Sequence, residues 1–239
     1  MPQLRPDFAR RSAAAEWLDR ADLDGAELAA VLRDLAWFNA VMLGHTPILA
    51  WLCRAVRDRS AGGPLRLIDA GCGSGDLLRA IRRWAERRGL SFELLGLDAN
   101  AETVRIARAA TAPRERIDFA VADVLDVRPA APVDLIVNSL LAHHLDDAAI
   151  ARLLGWMEAT ARHGWLVSDL QRHPLPHRFI GLAGKLARLH PIVVHDGQIS
   201  VTRALTRAEW LDRLDAAGIP RQAVTVRWFL YRWLIGRLR

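Results

Sequence analysis

The stretch Leu65-Arg66-Leu67-Ile68-Asp69-Ala70-Gly71-Cys72-Gly73-Ser74-Gly75-Asp76 limits what this chain can fold into more than any other. A short apolar run ends in an acidic residue, glycines follow at every second position, and a helical pattern starts at Leu77. That is a buried strand followed by a turn so tight that side chains would collide with whatever lies above it. The next helix presents free N–H groups toward the same space. A small ligand can therefore lie against bare backbone. The spacing is Asp-x-Gly-x-Gly-x-Gly, and Asp76 stands where a dinucleotide fingerprint, G-x-G-x-x-G, needs its third glycine. An acidic residue opening the helix also repels a pyrophosphate, which disfavours a dehydrogenase.

Around this stretch, strand and helix patterns alternate. Helical spacing over Leu77 to Arg88, stopped by Gly89, precedes strands at Phe92–Leu97, Ile117–Val121, Val133–Val137 and Trp165–Ser168, with helices between them through Val104 and over Asp147–Arg162. Asn138 to Leu145 reads as the exit loop of the fourth strand. Such a βαβα rhythm implies a parallel sheet with right-handed crossovers and a ligand at the carboxyl ends of its strands. The rhythm breaks between Gln171 and Leu205, where a short helix is expected around Phe179–Leu189 and a loop over His190–Gly197. Thr206-Arg207-Ala208-Glu209 is a capping box opening a further helix, and Ala223–Trp228 with Tyr231–Arg237 suit a hairpin.

The first sixty residues read as helical, with a capping box at Asp24-Gly25-Ala26-Glu27, a helix over Ile48–Val56 and a turn at Ser60–Pro64. These helices either fold over the open end of the sheet as a lid or pack on one of its faces.

Composition narrows the partners. The formal charge of +6 raises the question of nucleic acid, but Lys185 is the only lysine and the arginines are scattered among Asp and Glu. That argues for compositional bias rather than a phosphate-binding stripe. Two cysteines make no disulfide framework, Met1-Pro2-Gln3-Leu4-Arg5 has no signal-peptide core, and no apolar stretch approaches the ~20 residues of a membrane span. The expectation is a cytoplasmic protein that engages neither nucleic acid nor membrane. Nothing in the sequence fixes its oligomeric state.

The run Asp69–Asp76 resembles motif I of the class I S-adenosylmethionine-dependent methyltransferases, in which the loop passes under the methionine part of the cofactor. Asp98 ends the second strand, where a carboxylate accepts the ribose hydroxyls, and Asp123 with the N–H of Val124 ends the third, where they would take the adenine edge. The cofactor set implied is Asp69, Gly71, Cys72, Gly73, Gly75, Asp98, Ala99, Asp123, Val124 and Asn138, holding S-adenosyl-L-methionine. Cys72 enters as a small residue without reactivity.

The resemblance implies an α/β fold. Its core is a seven-stranded, mostly parallel Rossmann-like methyltransferase sheet over residues 64–239, with a helical lid over 1–63 and an acceptor-side insertion over 171–205. The fourth-strand exit, Asn138-Ser139-Leu140-Leu141-Ala142-His143-His144-Leu145-Asp146-Asp147, carries neither Asn-Pro-Pro-aromatic nor Pro-Cys. It is similar to the His-His-Leu-Asp-Asp type of many small-molecule enzymes of this class. The segments Val167–Arg172 and His195–Ala204 resemble a subgroup that methylates phenolic and polyketide natural products, although His173-Pro174 departs from its usual small polar residues.

The expected reaction is methyl transfer to a hydroxyl of a small aromatic or polyketide-type molecule. A phenol of pKa near 10 is protonated at neutral pH, so a base of pKa about 6.5 can contribute on the order of a hundred- to ten-thousand-fold. Candidate bases are His144, His143 and His195. A metal site from His143, His144 and Asp146 is not expected, because adjacent histidines do not easily face one ion and the chemistry needs none. Alternatives are a methyltransferase acting on RNA or protein, and a cofactor-binding protein that has lost methyl transfer.

Overall fold

The computed structural model describes residues 6–19, 23–57 and 63–239; the readings made at Met1–Arg5 and over most of the Ser60–Pro64 turn lie outside them. In chain order the elements are α1 (Gly25–Val41), α2 (Thr46–Ala55), β1 (Leu65–Ala70), α3 (Asp76–Glu86), β2 (Phe92–Asp98), α4 (Ala101–Ala109), β3 (Ile117–Val121), β4 (Val133–Ser139) and α5 (Asp147–Thr160). They continue with β5 (Ala161–Leu170), α6 (Pro174–Leu186), α7 (Pro191–Arg203), α8 (Arg207–Ala216), β6 (Thr225–Phe229) and β7 (Arg232–Leu238). The seven strands form one sheet in the order β3-β2-β1-β4-β5-β7-β6. The first five are parallel, and β7 runs antiparallel between β5 and β6. This is the seven-stranded Rossmann-like methyltransferase sheet that the resemblance implied.

Successive strand residues point to opposite faces, so an apolar strand buried on both sides feeds two cores. Leu67, Leu135 and Leu166 join α2, α3 and α4 through Trp51, Leu52, Leu78, Ile81, Trp84 and Val104. Ile68, Ile136 and Val167 join α5 and α8 through Ile150, Leu153, Met157, Trp210 and Leu214. The two capping boxes mark real helix starts. Asp24 accepts from the Glu27 N–H, and Thr206 and Glu209 cap reciprocally.

Several local expectations need correction. Residues 8–19 form no helix but an irregular strap across the carboxyl edge of the sheet. The two N-terminal helices divide between the two placements considered: α2 packs on the sheet face, while α1 packs against α4 and α7. β4 continues through Asn138 and Ser139 before a 3-10 turn at Ala142–His144, and β5 is longer than read, starting at Ala161. The segment expected as a loop at His190–Gly197 lies almost wholly in α7. There Pro191 occupies the first turn, the His190 ring accepts the Ile192 N–H, and Ile192 and Val193 are buried against Val31 of α1. Tertiary burial outweighs the poor helix propensity of a β-branched run and a glycine. Likewise α6 starts earlier than expected, at Pro174. Among the described residues, no single helix is long and apolar enough to cross a membrane.

Candidate active site

The glycine loop leaves β1 with Gly71, Gly73 and Gly75 all at positive φ (74°, 51° and 75°), and the N–H groups of Gly71 and Cys72 both donate to Leu97 O of β2 at 2.8 and 2.9 Å. It passes close over β2 because residue 96 is glycine. A Cβ there would lie 2.7 Å from Cys72 Sγ and from the Phe119 ring. A Cβ on Gly73 would instead meet nothing within 4 Å, so that glycine faces open space. The space is a cleft of about 1160 Å³, open solvent included, walled by Asp69, Gly71, Cys72, Gly73, Ser74, Asp76 and Asp98 from below and by α1 from above.

Four carboxylates line it, Asp19 from the strap and three at the glycine loop and the end of β2. Asp98 accepts the N–H groups of Gly73 and Asn100 at 3.0 and 2.9 Å, and its carboxyl is raised by burial despite those bonds. Asp76 opens α3 and meets His45 Nε2 at 2.9 Å. Burial pushes it up, but His45 and Arg79 outweigh that and hold it below the usual carboxylate range. Asp69 is 1% exposed, and its Oδ1 has no hydrogen-bond partner among the described residues. Burial first, and then the charges of Asp76 and Asp98, drive its carboxyl well above the usual range. An unpaired buried carboxylate is costly unless a cation reaches it. The cleft therefore fits a ligand that brings positive charge to Asp69. S-adenosylmethionine, with its sulfonium and ammonium groups, is such a ligand, whereas a pyrophosphate is not.

Four other residues named for the cofactor lie off this cleft. The Asp123 side chain is exposed and turned back onto the Leu125 N–H, and the Val124 side chain is buried in the second core. Ala99 is exposed, and Asn138 is wholly buried, donating to Ala70 O at 2.6 Å while its Oδ1 lacks a partner. Parts of the wall that the sequence did not point to are His45, Asn100, Thr103 and Ser139.

A second cavity, of about 690 Å³ with open solvent included, adjoins the first, sharing Leu18, Leu35, Asn39, Leu140 and His144 as a common wall. Leu140, at φ 61°, turns the chain out of β4 at this junction, a strained geometry of the kind found at functional sites. Val31, Phe38, Leu170, Ile180, Ile192 and Val193 make the cavity mostly apolar.

Its polar end is built on the two histidines. His143 is 3% exposed, and both its backbone N and its Nδ1 reach the Asp169 carboxylate, at 3.1 and 2.7 Å. With Nδ1–H donated there, Nε2 is the basic nitrogen, and it lies 3.8 Å from Glu16 Oε1. Burial pushes the Asp169 carboxyl up, but the His143 ring and the Leu170 N–H more than reverse that and hold it low. His144 lies with Nε2 3.7 Å from Glu16 Oε2 and Nδ1 3.5 Å from Asp19 Oδ1. The His144 ring, helped by Arg203, draws the Asp19 carboxyl down to about 2.

Glu16, Asp19 and Asp169 carried no sequence signal for this cluster. Glu16 sits on the strap, over a hundred residues from its partners. Burial raises its carboxyl, although Ser200 Oγ donates to Oε1 at 2.9 Å. The adjacent histidines do converge, contrary to expectation, with ligand atoms of Glu16, His143 and His144 within 4.8 Å of one another. Asp146 takes no part, because it caps α5. A guanidinium nitrogen of Arg203 already lies 3.7 Å from Glu16 Oε1, so the positive charge a metal would supply is present. His195 is not on either cavity; its ring stacks on Trp17 at 3.7 Å and bonds Asp196 at 2.8 Å.

The strap that brings Glu16 is pinned from both sides. Arg11 donates to the carbonyls of Ala142, His143, Leu145 and Arg203, and Asp196 accepts the N–H groups of Trp17 and Leu18 at 2.9 and 2.8 Å.

Residues 67–164 match the family model described as a methyltransferase domain. A trans-aconitate 2-methyltransferase of Streptomyces avermitilis is 32% identical over 165 residues, which are 65% of this chain; the chain spans 57% of that protein's length. Among solved structures, the plantazolicin methyltransferase BpumL in complex with SAH is similar with a TM-score of 0.60 at 16% identity, over 90% of this chain and 98% of that one. Human N-acetylserotonin methyltransferase in complex with SAM gives 0.63 at 18% identity, over 90% and 56%. The segment 67–164 thus carries the methyltransferase-domain match, and the chain around it has the fold of the class I methyltransferases.

Proposed function

We propose that the protein is an S-adenosylmethionine-dependent methyltransferase that methylates an oxygen of a small molecule held in the apolar cavity. The observation that carries this reading is the shared wall. A cleft whose unpaired Asp69 suits a cationic methyl donor meets an apolar cavity at the point where His143, His144 and Glu16 converge. The donor supplies an activated methyl group, so the protein's work is alignment, exclusion of water and removal of a proton. Alignment of this kind can lower a barrier by ~7–11 kcal/mol. His143, oriented by Asp169 at 2.7 Å, is the base for a hydroxyl acceptor. His144 and Glu16 close the wall around it. α1 and the strap act as the lid over both ligands. A mostly apolar cavity walled by α1, α6 and α7 suits a small molecule better than an RNA or a protein chain. Two free cysteines, Cys53 and Cys72, accord with a reducing cytoplasmic setting.

A phenolic or polyketide hydroxyl is the first reading of the acceptor. A carboxylate is the second, and Arg232 favours it. That side chain is 1% exposed and lines the apolar cavity, and among the described residues it bonds the neutral Ser139 and Asn39 while Nε has no partner. The trans-aconitate relative points the same way.

Incubation with methyl-labelled donor and a panel of phenols and small carboxylic acids tests both. Products that survive mild alkali are ethers, and products that release methanol are esters. His143→Gln should slow a phenol acceptor by about 10²–10⁴-fold but spare a carboxylate, which is already ionised. Absence of any transfer together with absence of a thermal shift by donor or demethylated donor would sink the proposal.

A further inference from the structure

Helix α6 is apolar on two opposite faces, and among the described residues only one is covered. Its inner face packs on α7, where Gly181 approaches Gln198 and Gly184 approaches Val194 so closely that a Cβ on either would lie 2.7 Å away. Ile180 on this face lines the apolar cavity. On the outer face Leu175, Phe179, Leu182 and Leu186 recur at helical spacing and form a single stripe, each between 46% and 76% exposed. Four large apolar side chains in register on one helix are a patch that asks for a partner.

The charge around the stripe identifies the partner. Between Asp169 and Asp196 the sequence holds no Asp or Glu, although a quarter of the chain is charged. Arg178, Lys185 and Arg188 lie exposed along the stripe, and Lys185 is the sole lysine of the protein. Beside them an open hollow, lined by Phe8, Pro174, His177, Arg178, Leu182 and Lys185, has cations but no acidic group in its wall. A second copy docking symmetrically would set these three cations against themselves.

We propose that this face of α6 lies in the headgroup region of an anionic lipid surface, with the stripe in the acyl boundary and the cations on phosphates. The expectation of no membrane contact rests on the absence of a spanning helix and does not extend to a surface contact. The geometry sets the apolar cavity against one side of α6 and the bilayer against the other, so an apolar acceptor has a short route between them.

Co-sedimentation of the full chain with vesicles tests this. Phosphatidylcholine mixed with phosphatidylglycerol should pellet the protein, phosphatidylcholine alone should pellet much less, and rising salt should release it. Leu182→Asp with Leu186→Asp should abolish pelleting. Arg178→Gln with Lys185→Gln and Arg188→Gln should weaken it on the order of a hundredfold. Both variants should keep the thermal shift caused by demethylated donor, which shows that they fold. Equal pelleting on both vesicle types, or none on either, overturns the proposal. So does a concentration-dependent dimer in sedimentation velocity that the Leu182/Leu186 variant dissociates.

Discussion

Asp69 is a buried carboxyl that a cationic ligand would pair. Buried beside two other carboxylates and lacking a partner for Oδ1, it penalises the empty protein. A carboxyl raised in the folded state stabilises most below the ordinary carboxylate range, and that contribution is lost as pH rises through the folded value. Asp69→Asn should therefore raise the melting temperature of the ligand-free protein at neutral pH, by the equivalent of about 1–3 kcal/mol. It should also remove the rise with S-adenosylhomocysteine. A ligand-free variant less stable than wild type would contradict this account. Asp169 has the opposite sign: held low by His143, it stabilises above the ordinary range and loses that contribution as pH falls through its folded value. Both residues stand at strand ends in the sequence, but only Asp69 was legible as part of a site, because glycines follow it directly. The role of Asp169 depends on a histidine twenty-six residues earlier and on a turn that no local pattern announces.

Among the elements, the strap is the part that sequence reading missed most completely. Residues 8–19 have no regular ladder of their own, and the N–H groups of Ser12, Trp17 and Leu18 donate to Thr202 O and to the Asp196 carboxylate instead. Arg11 gathers the carbonyls at the histidine turn, and Arg203 donates to His143 O and His144 O from the other side. Two guanidinium groups therefore fix the turn that carries His143, the proposed base. Arg11→Ala should lower kcat/KM for the acceptor roughly ten- to a hundredfold while leaving the dissociation constant of S-adenosylhomocysteine unchanged. Equal losses in both would mean that the strap supports the donor cleft instead. The strands and α3, by contrast, were legible because two-face burial and amphipathic spacing are written locally. Helix α7 was not, since its β-branched run is buried on two sides by distant elements, Ile192 and Val193 against α1 and Val194 against α6.

At the scale of the whole molecule, the sheet sets the cleft and the apolar cavity side by side along one edge while helices on both faces supply stability. The far end of the sheet takes part as well: Arg232, at the start of β7, reaches Asn39 of α1, and the glycine at 44 leaves room for its guanidinium. The same α1 roofs the donor cleft and the apolar cavity, and the two share Leu18, Leu35, Asn39, Leu140 and His144. A wall held in common cannot answer to one ligand alone. Whatever free energy a bound donor spends on ordering α1 and Leu140 is free energy the acceptor no longer supplies, and the reverse holds equally. Calorimetric titration of acceptor into free and S-adenosylhomocysteine-loaded protein should show the second tighter by roughly 5- to 150-fold, and titration of S-adenosylhomocysteine with and without acceptor must return the same factor. A factor of one would mean that the partition is rigid and each ligand is blind to the other.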